Sequence, residues 1–133
     1  AKIHQQPKPA GGGVPIWVSG TVNRRAMTRL ARFGSGWIPW GPDAADLGSS
    51  IPRMRVAVAE AGGDATGLDV VGSLPTRFDG SGAIDVAATM HPVPRLAEVG
   101  VTDFRSNARF TSYGEELIDQ IGSLVAAFRA VSA

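Results

Sequence analysis

The run Ser19-Gly20-Thr21-Val22-Asn23 puts two hydroxyls, a glycine and a carboxamide into consecutive positions. It follows the short apolar stretch Pro15-Ile16-Trp17-Val18 and precedes an arginine-rich segment with helical spacing. A strand that turns into a helix through such residues offers unpaired backbone N–H groups and the positive end of a helix dipole, an arrangement suited to a phosphate. Gly20 would allow close backbone approach. Ser19, Thr21 and Asn23 could add side-chain hydrogen bonds. The plainer reading is a strand–helix turn with a polar cap, because Thr21 or Asn23 would also serve as an N-cap. The segment lacks the Lys-Ser/Thr ending of a P-loop, and it is not a G-x-G-x-x-G fingerprint.

Other side chains suggest chemistry less directly. Trp37 and Trp40 flank Ile38-Pro39, and strand alternation sends them to opposite faces. Trp37 reads as core. Trp40, nearer the end of its strand, is the better candidate to line a substrate or ring pocket. Arg77 follows the third strand, and Arg105 and Arg109 stand at or after the fourth. In a barrel these ends carry the chemistry, so Arg77 is a candidate for an anionic substrate; a solvated surface arginine is the plainer reading. Asp79, Asp85 and Asp103 are scattered, with Asp85 better placed as a helix cap than as a base, and nothing singles out Tyr113, the one tyrosine. No Ser-His-Asp or paired-carboxylate arrangement can be argued, so the catalytic residues are unknown.

Composition removes several classes. The 133 residues suit one domain, 44% are hydrophobic, and net charge is +1, which gives no pull toward nucleic acid or anionic membrane. With no cysteine, thiolate nucleophiles, disulfides and iron–sulfur ligation are excluded, and with only His4 and His91 a histidine metal site is not expected. No apolar run is long enough for a membrane span, and the start has no apolar signal core, so a cytoplasmic protein is expected.

The elements that must position these residues alternate. Residues 1–14 read as a linker or loop, ending in Gly11-Gly12-Gly13, and residues 15–133 as one structural unit. Pro15–Val18 reads as a buried strand, followed by a helix with Met27, Leu30, Ala31 and Phe33 near one face that Gly34 stops. Gly36–Gly41 reads as a second strand, with an early end or bulge at Pro39. Asp43 starts a short helical turn. Ile51, Met54, Val58 and Ala61 mark a helix with Pro52 in its first turn and Gly62-Gly63 at its end. Leu68–Leu74 is a third strand closed by Pro75, then comes the turn-rich Phe78-Asp79-Gly80-Ser81-Gly82. Asp85–Val99 is helical in parts, interrupted by Pro92 and Pro94. Val101–Arg105 is the fourth strand. Ser112 and Glu115 match a capping box before the amphipathic run Leu117, Ile118, Ile121, Leu124, Val125, Phe128 and Val131. Strand and helix alternate four times, which predicts an α/β fold with a parallel sheet: a (β/α)4 unit, half of a TIM-type (β/α)8 barrel, or a small open sheet.

Val14-Pro15-Ile16-Trp17-Val18-Ser19-Gly20, the arginine-rich helix from Arg25, and Arg32-Phe33-Gly34-Ser35-Gly36-Trp37-Ile38-Pro39-Trp40-Gly41 together resemble the luciferase-like monooxygenase family, above all its coenzyme F420-dependent branch. That family usually has a Gly-Gly pair, of which Ser19 replaces the first glycine, and an Asp where Ser35 stands. Leu74-Pro75-Thr76-Arg77, Leu96 to Asp103 and the last helix extend the likeness from about Pro7 to the end. The resemblance implies a barrel binding F420, alternatively FMN, in which deazaflavin C5 or flavin N5 passes a hydride. It also implies that the turn Ser19, Gly20, Thr21, Val22 and Asn23 contacts the cofactor phosphate. Four earlier strands of the family barrel have no counterpart here. The chain therefore reads as the C-terminal half of such an oxidoreductase, a fragment or truncated form, inactive alone; the alternatives are a non-catalytic half-barrel relic or a small α/β binding module. A half-barrel exposes sheet edges at Ile16-Trp17 and Phe104-Arg105, so a homo-oligomer is expected.

Overall fold

The computed structural model describes residues 13–107, 110 and 113–132. Ser112 of the expected capping box, Arg109, and all of the expected linker except Gly13 and Val14 lie outside them. Four strands, β1 (Trp17–Gly20), β2 (Gly36–Pro39), β3 (Asp69–Ser73) and β4 (Asp103–Arg105), form one sheet in the order β1-β2-β3-β4. Every pairing is parallel. The connections carry α1 (Arg24–Phe33), α2 (Pro42–Ala45) with α3 (Leu47–Glu60), and α4 (Val86–Met90) with α5 (Val93–Glu98); α6 (Glu115–Val131) follows β4. This is the expected parallel α/β architecture, with the strand order of half a (β/α)8 barrel.

Register explains which side is core. Val18 lies beside Trp37, and Trp37 beside Val70. All three are buried and pack against Ala26, Met27 and Leu30 of α1 and Ile51, Met54 and Val58 of α3. Burying side chains of this size contributes about 1.5–3 kcal/mol apiece. A second cluster joins Leu74, Met90 and Val93 to Phe104, Leu124 and Phe128, with the rings of Phe104 and Phe128 5.3 Å apart and edge-on. On the opposite face Trp17 lies across Gly36, where a Cβ would meet the indole Nε1 at 3.0 Å.

Several boundaries differ from those expected. β1 starts at Trp17 and takes in Ser19 and Gly20, because its ladder with β2 runs on until Gly20 meets Pro39. β2 does end at Pro39. Gly34 stops α1 with an ordinary φ of −79°, not a left-handed one. It is needed there for space, since a Cβ would come within 2.9 Å of the Leu30 backbone. Pro52 is not in the first turn of α3 but inside the helix, because Asp46 caps the Ser49 N–H and starts the helix at Leu47. At the other end Gly62, with φ +82°, donates to Ala59 and Gly63 donates to Val58, a Schellman closure.

Candidate functional site

In a parallel α/β sheet the loops at the C-terminal strand ends form the functional rim. β1 delivers Ser19 and Gly20 to that rim. Thr21 and Val22 lead into α1, whose N-cap is Asn23: its Oδ1 accepts the Ala26 N–H at 3.0 Å. Of the two expected caps, Asn23 is the one used. Its Nδ2 turns back to Thr21, donating to Oγ1 at 3.0 Å and to the carbonyl at 3.1 Å. Trp37 fixes the strand end from the core side, donating its indole N–H to the Gly20 carbonyl at 2.9 Å. This fits the expectation that Trp37 is a core residue.

A side chain from the next connection completes the turn. Asp43 is buried, with 5% of its surface exposed, yet it is in the first turn of the short α2. Its Oδ2 accepts the Val22 N–H at 2.6 Å, its Oδ1 accepts from Arg53 Nη2, and its carbonyl accepts from Ser50 Oγ at 2.8 Å. One of the amides expected to face a phosphate is thus already held by a carboxylate. Arg53 balances that charge from α3. The amides of Arg24 and Arg25 have no protein acceptor among the described residues, as the first N–H groups of a helix do not. With the Thr21 hydroxyl, whose proton is free to be donated, they make up the open donor set of the turn. This set fits an anion. It offers nothing that would hold an aromatic ring.

The sequence could not reveal the Asp43 contact. Gly41-Pro42-Asp43 signals a helix start, and Pro at its first position is common. That the carboxylate would turn back across the sheet to β1, rather than cap its own helix, depends on the pairing of Gly20 with Pro39.

The other candidates are spread along the rim. Trp40 follows β2 beside this turn and is 64% exposed. Arg77 follows β3; its N–H donates to the buried Thr89 Oγ1 at 2.9 Å, and its carbonyl accepts from Asp85. Its exposed side chain lines a cavity of about 470 Å³ with Phe78, Asp85 and His91. Neither Ser19–Asn23 nor Trp40 lines that cavity, so Arg77 does not join the turn in one pocket. Thr76 and Ser106 tie the third and fourth loops together, Oγ to Oγ, at 3.0 Å.

The carboxylates are structural in their contacts. Asp85 caps α4 through the Ala88 N–H, as expected. Asp79 Oδ1 gathers the Ser81 N–H, the Ser81 hydroxyl and the Ala83 N–H. These bonds, those of Ser81 first, hold its pKa below the usual carboxylate value. Asp64 is lowered likewise, by Thr66. Asp103 accepts from Thr102, whose Oγ1 accepts the Val70 N–H. No group of three or more acidic or histidine side chains forms a metal cage among the described residues. None of the described helices is long and apolar enough to cross a membrane.

Comparison with known proteins places this geometry in a family. No curated protein matches the chain. The luciferase-like monooxygenase family matches residues 1–117, and its members use a flavin or coenzyme F420. With most of its length matched and a parallel sheet in the order of half a TIM barrel, the chain belongs to the luciferase-like monooxygenase family.

Proposed function

We propose that this chain contributes the cofactor-phosphate turn of an F420-dependent oxidoreductase, with FMN the alternative cofactor, and that it corresponds to the C-terminal half of the family barrel. The observation that carries this reading is the open donor set at the start of α1: the Arg24 and Arg25 amides beside the Thr21 hydroxyl, after a glycine with φ +152° at the strand end. Backbone N–H groups at a helix N-terminus are a ready anion site. Ser19 and Gly20 shape the approach, Asn23 holds the first turn of the helix, and Val22 serves by donating its N–H to the Asp43 carboxylate rather than to the ligand. Trp40 and Arg77 are the proposed substrate-side residues, on neighbouring stretches of the same rim. Bound deazaflavin or flavin would supply hydride transfer; these residues supply placement and charge.

A second reading is favoured by the Asp43 contact. A carboxylate already sits on the Val22 amide, so one donor of the turn is met from within the protein, as it would be in a non-catalytic half-barrel.

Titrating the purified chain with F420, FMN and inorganic phosphate, and following melting temperature and ligand fluorescence, separates the two. A ligand that binds the folded chain raises its melting temperature. The phosphate-turn reading expects a rise that is lost in Gly20→Asp and increased in Asp43→Asn. No response to any of the three ligands in wild type and Asp43→Asn leaves the non-catalytic reading.

A further inference from the structure

Helices cover one face of the sheet, and both sheet edges, β1 and β4, are unpaired among the described residues. All-parallel sheets occur almost only with both faces covered, and an unprotected edge strand is a template for pairing with another chain. The two edges differ in a complementary way. α1, over the β1 edge, carries Arg24, Arg25, Arg29 and Arg32 and no acidic residue. None of these arginines has an acidic partner among the described residues. Thr28 and Arg24 turn toward α3, lining a cavity with Ala57 and Glu60. Arg25, Arg29 and Phe33 recur every fourth residue along another flank, and all three are exposed.

At the β4 edge, α6 has no fully buried residue. Leu124 and Phe128 pack inward on the second cluster, while Ile118, Ile121 and Val125 stay exposed at 68%, 43% and 43%. A groove of about 420 Å³, lined mainly by apolar side chains such as Phe104, Leu124, Val125 and Phe128 but also by Asp103 and Arg129, runs beside β4. The first half of α6 adds Glu115, Glu116 and Asp119, also without a basic partner among the described residues.

We propose that two copies of this chain associate about a two-fold axis, each β4–α6 edge against the β1–α1 edge of the other, with Glu115 and Asp119 facing Arg25 and Arg29. The proposal rests on the half-barrel fold and is independent of cofactor binding. Direction and charge both select this occupant. Strands that meet edge to edge in parallel bring α6 of one copy beside α1 of the other in the same orientation. The acidic start of α6 then meets the arginine-bearing start of α1, and Val125 lies toward Phe33. The long arginine stems cover Ile118 and Ile121 while their heads reach the carboxylates. Two such units give an eight-stranded ring, the size at which side chains fill the interior.

Sedimentation equilibrium on the full chain tests this with two charge-reversed variants, Glu115→Arg/Asp119→Arg and Arg25→Glu/Arg29→Glu. All four residues are exposed, and thermal melts check that both variants fold. Wild type should be a dimer. Each variant alone meets like charge at both interfaces and should dimerise about tenfold more weakly or worse. An equimolar mixture has opposite charges at both interfaces and should recover the wild-type constant. A wild-type monomer at high micromolar concentration would overturn the proposal, showing those edges to await a different occupant. So would a dimer indifferent to either reversal, a mixture no tighter than its components, or open-ended aggregates in place of a dimer.

Discussion

The Asp43 carboxylate reaches across from the β2–α3 connection and accepts the Val22 N–H at 2.6 Å, joining two neighbouring loops of the rim through one buried side chain. Its second oxygen is taken by Arg53, whose side chain is 57% exposed, and its backbone carbonyl by Ser50. The strength lies with the buried amide contact rather than the ion pair. A hydrogen bond to a charged group contributes about 1.5–3 kcal/mol, whereas a solvent-screened ion pair contributes about 0–1. Asp43→Ala should therefore cost about 2–3 kcal/mol in urea unfolding and Arg53→Ala no more than about 1 kcal/mol. Equal losses from the two would mean that the ion pair, not the amide, holds the rim together.

Trp37 and Trp40 make a second, internally controlled pair. Trp37 is wholly buried and donates to the Gly20 carbonyl, so one side chain packs the core and fixes the candidate turn. Trp37→Phe keeps most of the packing and removes the donor, which should cost about 1–2 kcal/mol. Trp37→Ala should cost about 3–5 kcal/mol. Trp40→Ala, at an exposed position, should change stability by less than about 0.5 kcal/mol. If Trp40 serves the substrate side, its loss appears in ligand response and not in the urea midpoint.

The contrast between these tryptophans shows what the sequence makes legible. Alternation in a short strand, together with the nearby strand end at Pro39, is enough to assign Trp37 inward and Trp40 toward the rim, and both positions agree. Helices announced by apolar spacing also appear, because Met27 and Leu30, or Ile51, Met54 and Val58, need a common buried face. Boundaries are less legible. Pro52 drew the expected start of α3 toward itself, while the effective signal was the Asp46 cap upstream. At the site, the turn could be located from local polarity, but the contact that occupies one of its amides comes from a residue 21 positions away and follows from strand pairing.

The Asp79 loop should respond to acid. Its carboxylate is exposed and its pKa is lowered, chiefly by bonds from Ser81. A depressed folded-state value means that the contribution of these bonds is present above the usual carboxylate pKa and is lost as pH falls through the lower, folded value. An NMR titration should place the Asp79 midpoint below the ordinary value of 3.8. Ser81→Ala removes the hydroxyl donor and should move it back upward. A Ser81→Ala midpoint identical to wild type would assign the shift to the loop backbone alone.

The closure of α3 yields the most local prediction. Gly62 and Gly63 both belong to the Schellman turn, yet they are glycines for different reasons. Gly62 has φ +82° with open space around the missing side chain, so Gly62→Ala meets only backbone strain, about 1 kcal/mol. Gly63 has no such φ, but a Cβ there would lie 2.6 Å from both Cα and Cβ of Ala31 in α1. Backbone cannot swing aside like the end of a flexible side chain, so α1 and the end of α3 would have to separate. Gly63→Ala should cost about 1–3 kcal/mol, the range for forcing atoms into a packed interior. Gly62→Asn, whose side chain tolerates the left-handed region, should recover part of the Gly62→Ala loss, while Gly63→Asn should be at least as damaging as Gly63→Ala. Chemical denaturation of the four variants reads this difference directly, and a Gly63→Ala protein as stable as wild type would show that the two helices are not in contact at this point.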